Sequence, residues 1–183
     1  MSKSRSRRRM AAVAAGAASG AAVGPATANS DSSPWGAVAL AALAVFGMGV
    51  AGYLTVVHYA PALLVCSAQG LVNCEAVLTS AQSVVPGTVI PITVPGLAFF
   101  LISLGLAIAQ LGRPNNYRLR QAHAVWGGLG LLTALYLVFV ELVELHNICL
   151  WCSSVHIALL VTFLITLWRL YPQPSAARPL HSH

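Results

Sequence analysis

The sequence predicts an all-α integral membrane four-helix bundle, with a long outer loop carrying a short helix between the first two spans. Three observations lead there. Apolar residues make up 57% of the chain and charged residues only 8%, against roughly 25% charged in a typical soluble domain, and the mean hydropathy is +0.76. Four stretches each reach the length of about 18 apolar residues that spans a hydrocarbon core. The ten basic residues fall almost entirely outside those stretches, as loop charges do in membrane proteins. The chain of 183 residues is long enough for one domain, expected over residues 35–171.

The region 1–34 opens with Lys3, Arg5, Arg7, Arg8 and Arg9. A weakly apolar stretch from Met10 to Val23 and the triplet Ala26-Thr27-Ala28 resemble a secretory signal peptide. Cleavage there would reverse every later span and put Arg113, Arg118 and Arg120 outside, against the charge bias. The expectation is therefore an uncleaved, flexible cytoplasmic tail, whose Ala/Gly/Ser composition gives little to pack.

The first span is expected at Trp35–Tyr59, with Trp35 at one interface and Tyr53 and Tyr59 toward the other. Gly47, Gly49 and Gly52 would let a neighbouring helix come close. The loop Ala60–Thr93 exceeds the length of about 12–15 residues beyond which loops are usually functional or disordered. Within it Asn73 can cap a short helix from Cys74 to Thr79, whose apolar members would rest on the membrane surface. Pro86-Gly87, Pro91 and Pro95 interrupt regular structure before the second span, Val94–Leu111. The loop Gly112–Arg120 reads as a turn with topology-setting charges and offers no nucleic-acid site. The third span, Ala122–Leu145, carries Gly127, Gly128 and Gly130 for close packing and stays free of charge until Glu141. The fourth is Cys152–Leu170, followed by a cytoplasmic tail at 172–183.

The basic residues before span one, between spans two and three, and after span four share one side, which the positive-inside tendency makes the cytoplasm. Ala60–Thr93 and His146–Trp151 contain no Lys or Arg and are expected outside the cytoplasm, in the cell membrane of a multi-pass protein. All four cysteines, Cys66, Cys74, Cys149 and Cys152, lie in or beside those outer loops, where disulfides persist.

Cys149-Leu150-Trp151-Cys152 spaces two thiols to close a small disulfide ring at a helix start, as thiol oxidoreductases do. With Asn147 as N-cap, Cys149 would sit in the first turn, where the helix dipole and free N–H groups stabilise a thiolate. Cys66 and Cys74, on a loop expected to be mobile and solvent-facing, could meet an outside protein and exchange with the embedded pair. A zinc site built from all four thiolates is the first alternative, but its ligands usually come in two short spacings, which the gap from Cys66 to Cys74 does not supply. No metal is therefore expected. Inert disulfides in a structural or transport protein are the second alternative.

In the order and spacing of Cys66, Cys74, Cys149 and Cys152, in Glu75 and the short helix after the loop cysteines, and in the Cys-x-x-Cys opening the last of four helices, the chain resembles the vitamin K epoxide reductase family, specifically its bacterial members. The resemblance covers Trp35 to Leu170. It implies a membrane thiol oxidoreductase that reoxidises a DsbA-like, thioredoxin-fold protein outside the cytoplasm, supporting disulfide formation, with a quinone as acceptor. It implies that Cys66 exchanges with the partner, Cys74 attacks Cys149, and Cys152 faces the quinone. Some members carry the thioredoxin-like domain fused at one end, whereas this chain ends soon after its fourth span, so the expected partner is a separate protein. His156 stands where animal members have a Tyr, and the Asn those members use before the second helix has no counterpart near Ile92. A plain quinone, menaquinone or ubiquinone, is thus expected in place of vitamin K epoxide, which is the alternative substrate. His156, about one turn beyond Cys152, could donate to a quinone oxygen or bond to a neighbouring helix. Glu141 and Glu144 could feed protons toward the site, the deeper Glu141 with more reason. His58 and His146 receive no role.

Overall fold

The computed structural model describes residues 34–66 and 70–171. The tails expected at 1–34 and 172–183, and the signal-like stretch, lie outside the described residues, except Pro34, which begins the first helix. Four long helices appear where the apolar stretches predict them: α1 (Pro34–Tyr59), α3 (Thr93–Gly112), α4 (Tyr117–Phe139) and α5 (Leu150–Leu170). A short helix, α2 (Cys74–Leu78), lies in the loop between α1 and α3, and α4 runs on through a π-helical turn, Val140–Glu144. All four long helices are long and apolar enough to cross a membrane. Large apolar side chains also cover their outer faces, among them Phe46, Leu101, Leu132 and Leu164. A helix apolar on all sides suits lipid rather than water, and the protein is an integral membrane bundle.

The helix ends follow local rules. Pro34 supplies a preset φ at the start of α1. Asn116 caps α4 by accepting from the Leu119 N–H at 3.3 Å. Asn73 caps α2 as its sequence predicts, accepting from the Ala76 N–H at 3.1 Å. The expected surface position of α2 does not hold. Its apolar face, Cys74, Val77 and Leu78, is buried, and Leu78 packs with Val50, Leu54 and Val57 of α1. Burying about 25 cal/mol per Å² of apolar area against α1 favours this inward arrangement.

α1 packs chiefly on α3, and α4 on α5. Only some of the glycines do what their composition suggests. A Cβ on Gly47 would collide with the Phe100 ring, and one on Gly130 would fall 2.6 Å from Phe99. Gly49 and Gly52 have open space around them, and Gly127 and Gly128 make ordinary contacts.

At the end of the bundle away from the cysteines, three helices are pinned through polar groups. Arg169 of α5 donates to Gln110 Oε1 of α3 at 2.6 Å, and the Gln110 amide pairs with His123 Nδ1 of α4 at 2.8 Å. Gln110 and His123 are buried, and such groups persist in an apolar interior only when hydrogen-bonded. Gly36 of α1 makes room for the Arg169 stem, whose Cδ would lie 2.7 Å from an added Cβ.

Candidate redox-active site

All four cysteines gather at one end of the bundle. Cys66 and Cys74 are joined as a disulfide, while Cys149 and Cys152 are free thiols. Cys74, Val77 and Cys149 form one buried cluster, with Cys66, Trp151 and Cys152 packed against it. Cys74 is 1% exposed and Cys149 0%. The expectation that both loop cysteines face solvent is therefore corrected: Cys66 is half-buried, and Cys74 is turned inward against the second pair.

Backbone hydrogen bonds hold the two pairs in register. Leu71–Asn73, leading into α2, lies parallel to the segment leading into α5, with a bridge from Val72 to Ile148. The Ile148 N–H donates to Leu71 O at 2.8 Å, and the Asn73 N–H to Ile148 O at 3.1 Å. Trp151 adds a third tie, donating from Nε1 to the Val65 carbonyl at 2.9 Å. Tyr53 of α1 packs on the Trp151 ring and uses its hydroxyl twice, donating to Leu63 O and accepting from the Val65 N–H.

Cys149 does not sit in the first turn under an Asn147 cap. Helix α5 begins at Leu150, and Cys149 is itself the N-cap, its Sγ accepting from the Cys152 N–H at 3.3 Å. Asn147 instead donates to the Leu145 carbonyl. The expected chemistry survives this shift, since a sulfur at the cap meets the unpaired N–H groups of the helix start directly. A hydrogen bond from the Cys152 side chain holds the Cys149 thiol below the usual thiol range, outweighing the opposing effect of burial.

The segment before Cys149 is shaped to place Glu141. The π turn closes with the Leu145 N–H on Val140 O, and His146 follows at φ 52°, a left-handed residue that ends the helix. The chain then folds back so that the Asn147 N–H meets Glu141 O and the Cys149 N–H meets Glu141 Oε2 at 3.4 Å. Glu141 is 5% exposed, whereas Glu144 points outward.

Below this cluster lies a cavity of about 480 Å³ between the helices. Cys152, His156 and Glu141 share its wall, and most of the remaining lining is apolar, including Leu54, Phe99 and Leu159. The His156 Nδ1 is buried without a partner among the described residues. Sequence reasoning missed several wall residues. His58 and Ser80 line the cavity, and Trp126 stacks on Phe99 at 5.2 Å between ring centroids while donating to the Phe99 carbonyl. Trp126 stands near the start of the expected span Ala122–Leu145, where an interfacial Trp is ordinary, so its position carried no signal. Among the described residues, no three of His, Cys, Asp and Glu come together as a metal site.

Residues 38–167 match the model of the vitamin K epoxide reductase family. No curated protein matches the chain.

Proposed function

The chain belongs to the vitamin K epoxide reductase family, a membrane oxidoreductase family linked to quinones and thiols, and on that footing we propose that it is a thiol oxidase with a quinone as acceptor. Its electron donor is a separate DsbA-like, thioredoxin-fold dithiol protein outside the cytoplasm, and the outcome is disulfide formation in that compartment. The observation that carries this reading is the burial of Cys74 against Cys149, with Cys152 next in line on the cavity wall.

The residues fit a quinone. A ring with two carbonyls needs a mostly apolar slot and a few polar groups, and the cavity offers Cys152 and the unpartnered Nδ1 of His156. The acceptor is menaquinone or ubiquinone, which takes up two electrons and two protons to become a quinol. His156 orients it by hydrogen bonding to one carbonyl oxygen.

The transfers are thiol–disulfide exchanges. A partner thiolate attacks Cys66, breaking the Cys66–Cys74 bond and releasing Cys74, and the partner's second thiol then displaces Cys66 and leaves oxidised. Cys74 attacks Cys149 of the inner disulfide and expels Cys152. Cys66 next attacks Cys74, re-forming the outer disulfide and freeing Cys149. The observed pattern, with the outer pair bonded and the inner pair free, corresponds to the end of that relay. Closing the Cys149–Cys152 bond breaks two S–H bonds and gives the electron pair and two protons to the acceptor. The positive-inside tendency, applied to Arg113, Arg118 and Arg120 between α3 and α4, supports a cytoplasmic position for the opposite end.

Purified protein supplied with a reduced thioredoxin-fold dithiol protein and either quinone tests this reading. Quinol should form with the parent and not with Cys152→Ser. Quinol formation at the parental rate in Cys152→Ser would refute it.

A further inference from the structure

We propose that Glu141 is a catalytic proton carrier between the Cys149–Cys152 dithiol and the quinone. This rests on the thiol-oxidase reading above and adds a residue to it. Reducing a quinone with a dithiol moves two protons as well as two electrons, and the protons need a route through an apolar cavity. Glu141 is placed to provide one. Its Oε2 accepts from the Cys149 N–H, its carboxylate is within hydrogen-bonding reach of the Cys152 thiol, and it lines the same cavity as Cys152 and His156. Among the described residues, the other two carboxylates, Glu75 and Glu144, are exposed.

The local backbone is built around this side chain. A continuous α-helix would carry residue 141 past Cys149 with its N–H groups satisfied within the helix. The π turn and the left-handed His146 instead return the chain, so that the Glu141 carbonyl and carboxylate both receive N–H groups from the segment entering α5. Such π-bulges occur frequently at functional sites.

The step balances. Cys152 gives its proton to Glu141, breaking an S–H bond and forming an O–H bond, and Glu141 passes the proton to a quinone oxygen. The emptied carboxylate then takes the Cys149 proton, handed on through the Cys152 sulfur to which the Cys149 side chain is hydrogen-bonded. Two S–H bonds are broken and one S–S bond forms. Two O–H bonds form on the quinol, which has received the electron pair, and Glu141 ends as it began. General acid–base transfer of this kind contributes about 10²–10⁴-fold to a rate.

Glu141→Gln is the decisive variant, since its amide oxygen can still accept from the Cys149 N–H while it cannot carry a proton. Its kcat for quinone reduction should fall by about 10²-fold or more, with KM for quinone within about twofold of the parent. Reduction of Cys66–Cys74 by the dithiol protein should proceed normally. A second readout needs no quinone. The infrared difference between the dithiol and disulfide forms of the inner pair should contain a shifted carboxylate stretch, because Glu141 loses the Cys152 S–H as a partner when the disulfide forms; this band is absent in Glu141→Gln and present in Glu141→Asp. Parental kcat in Glu141→Gln, or a parent spectrum without a carboxyl change, overturns the proposal. A parent that reduces no quinone removes the thiol-oxidase reading itself, a distinguishable result. If the Gln variant does not fold, the parent spectrum alone decides.

Discussion

The indole N–H of Trp151 donates to the Val65 carbonyl at 2.9 Å, so the residue lying between the two cysteines of the helix-start pair holds the residue that precedes the loop cysteine. The two cysteine pairs are thus fastened to each other beside their sulfur atoms.

Trp151→Phe removes that bond while leaving a ring to pack on Tyr53. A single hydrogen bond of this type contributes about 0.5–1.5 kcal/mol, so a modest fall in Tm is expected. Handoff from Cys66–Cys74 to the inner pair should slow, and quinone reduction by a pre-reduced inner pair should not. Stopped-flow measurement of the two half-reactions separates them, and a parental handoff rate in the variant would contradict the assignment.

The burial of Cys74 against Cys149 predicts a trapped intermediate. With Cys66→Ser and Cys152→Ser combined, the two remaining thiols have only each other as partners. Mild oxidation should then give an intramolecular Cys74–Cys149 disulfide, visible as a linked peptide pair by mass spectrometry. Recovery of both thiols fully alkylated after oxidation would count against the relay.

Because the Cys152 side chain holds the Cys149 thiol below the usual thiol range, Cys149 should be alkylated at a pH where an ordinary thiol is still protonated. The sign follows from which form is stabilised. A group whose folded pKa is depressed keeps its anion as pH falls, down to the lowered value; the stability it contributes is fully present above the unfolded pKa and is lost as pH falls through the folded one. Cys152→Ala removes the largest cause, so the midpoint of the alkylation rate against pH should move upward. An unchanged midpoint would show that the helix start alone sets the acidity.

Gly47 and Gly49 stand two residues apart on α1 and should behave oppositely. Gly47→Ala drives a methyl into the buried Phe100 ring, an overpacking that costs about 1–3 kcal/mol. Gly49→Ala meets nothing and should be neutral or stabilising by up to about 1 kcal/mol through helix propensity. Thermal unfolding in detergent measures both, and equal Tm values would refute the packing argument.

These contrasts mark how far the sequence could be read. The four spans were legible because hydropathy over about 18 residues depends on composition alone. The Asn73 cap was legible because capping is decided within one turn. The inward turn of α2 was not, because Cys74, Val77 and Leu78 have the same composition whether they face lipid or α1. Gly47 and Gly49 likewise differ only in which of them meets Phe100, and that depends on the register of α1 against α3. At the candidate site, spacing and resemblance singled out the four cysteines and His156. The capping role of Cys149 required the backbone path after the π turn. His58, Ser80 and Trp126 come from three different elements and share a wall only once the helices are assembled.

The parallel seam at Val72 and Ile148 is made wholly of main-chain groups. Its geometry is therefore indifferent to which side chains line the chamber beneath. On the proposed reading, substitutions there can retune the choice of oxidant, while the gap that electrons cross between the sulfur couples keeps its dimension. Acceptor preference and internal conductance become separately adjustable traits of one small scaffold.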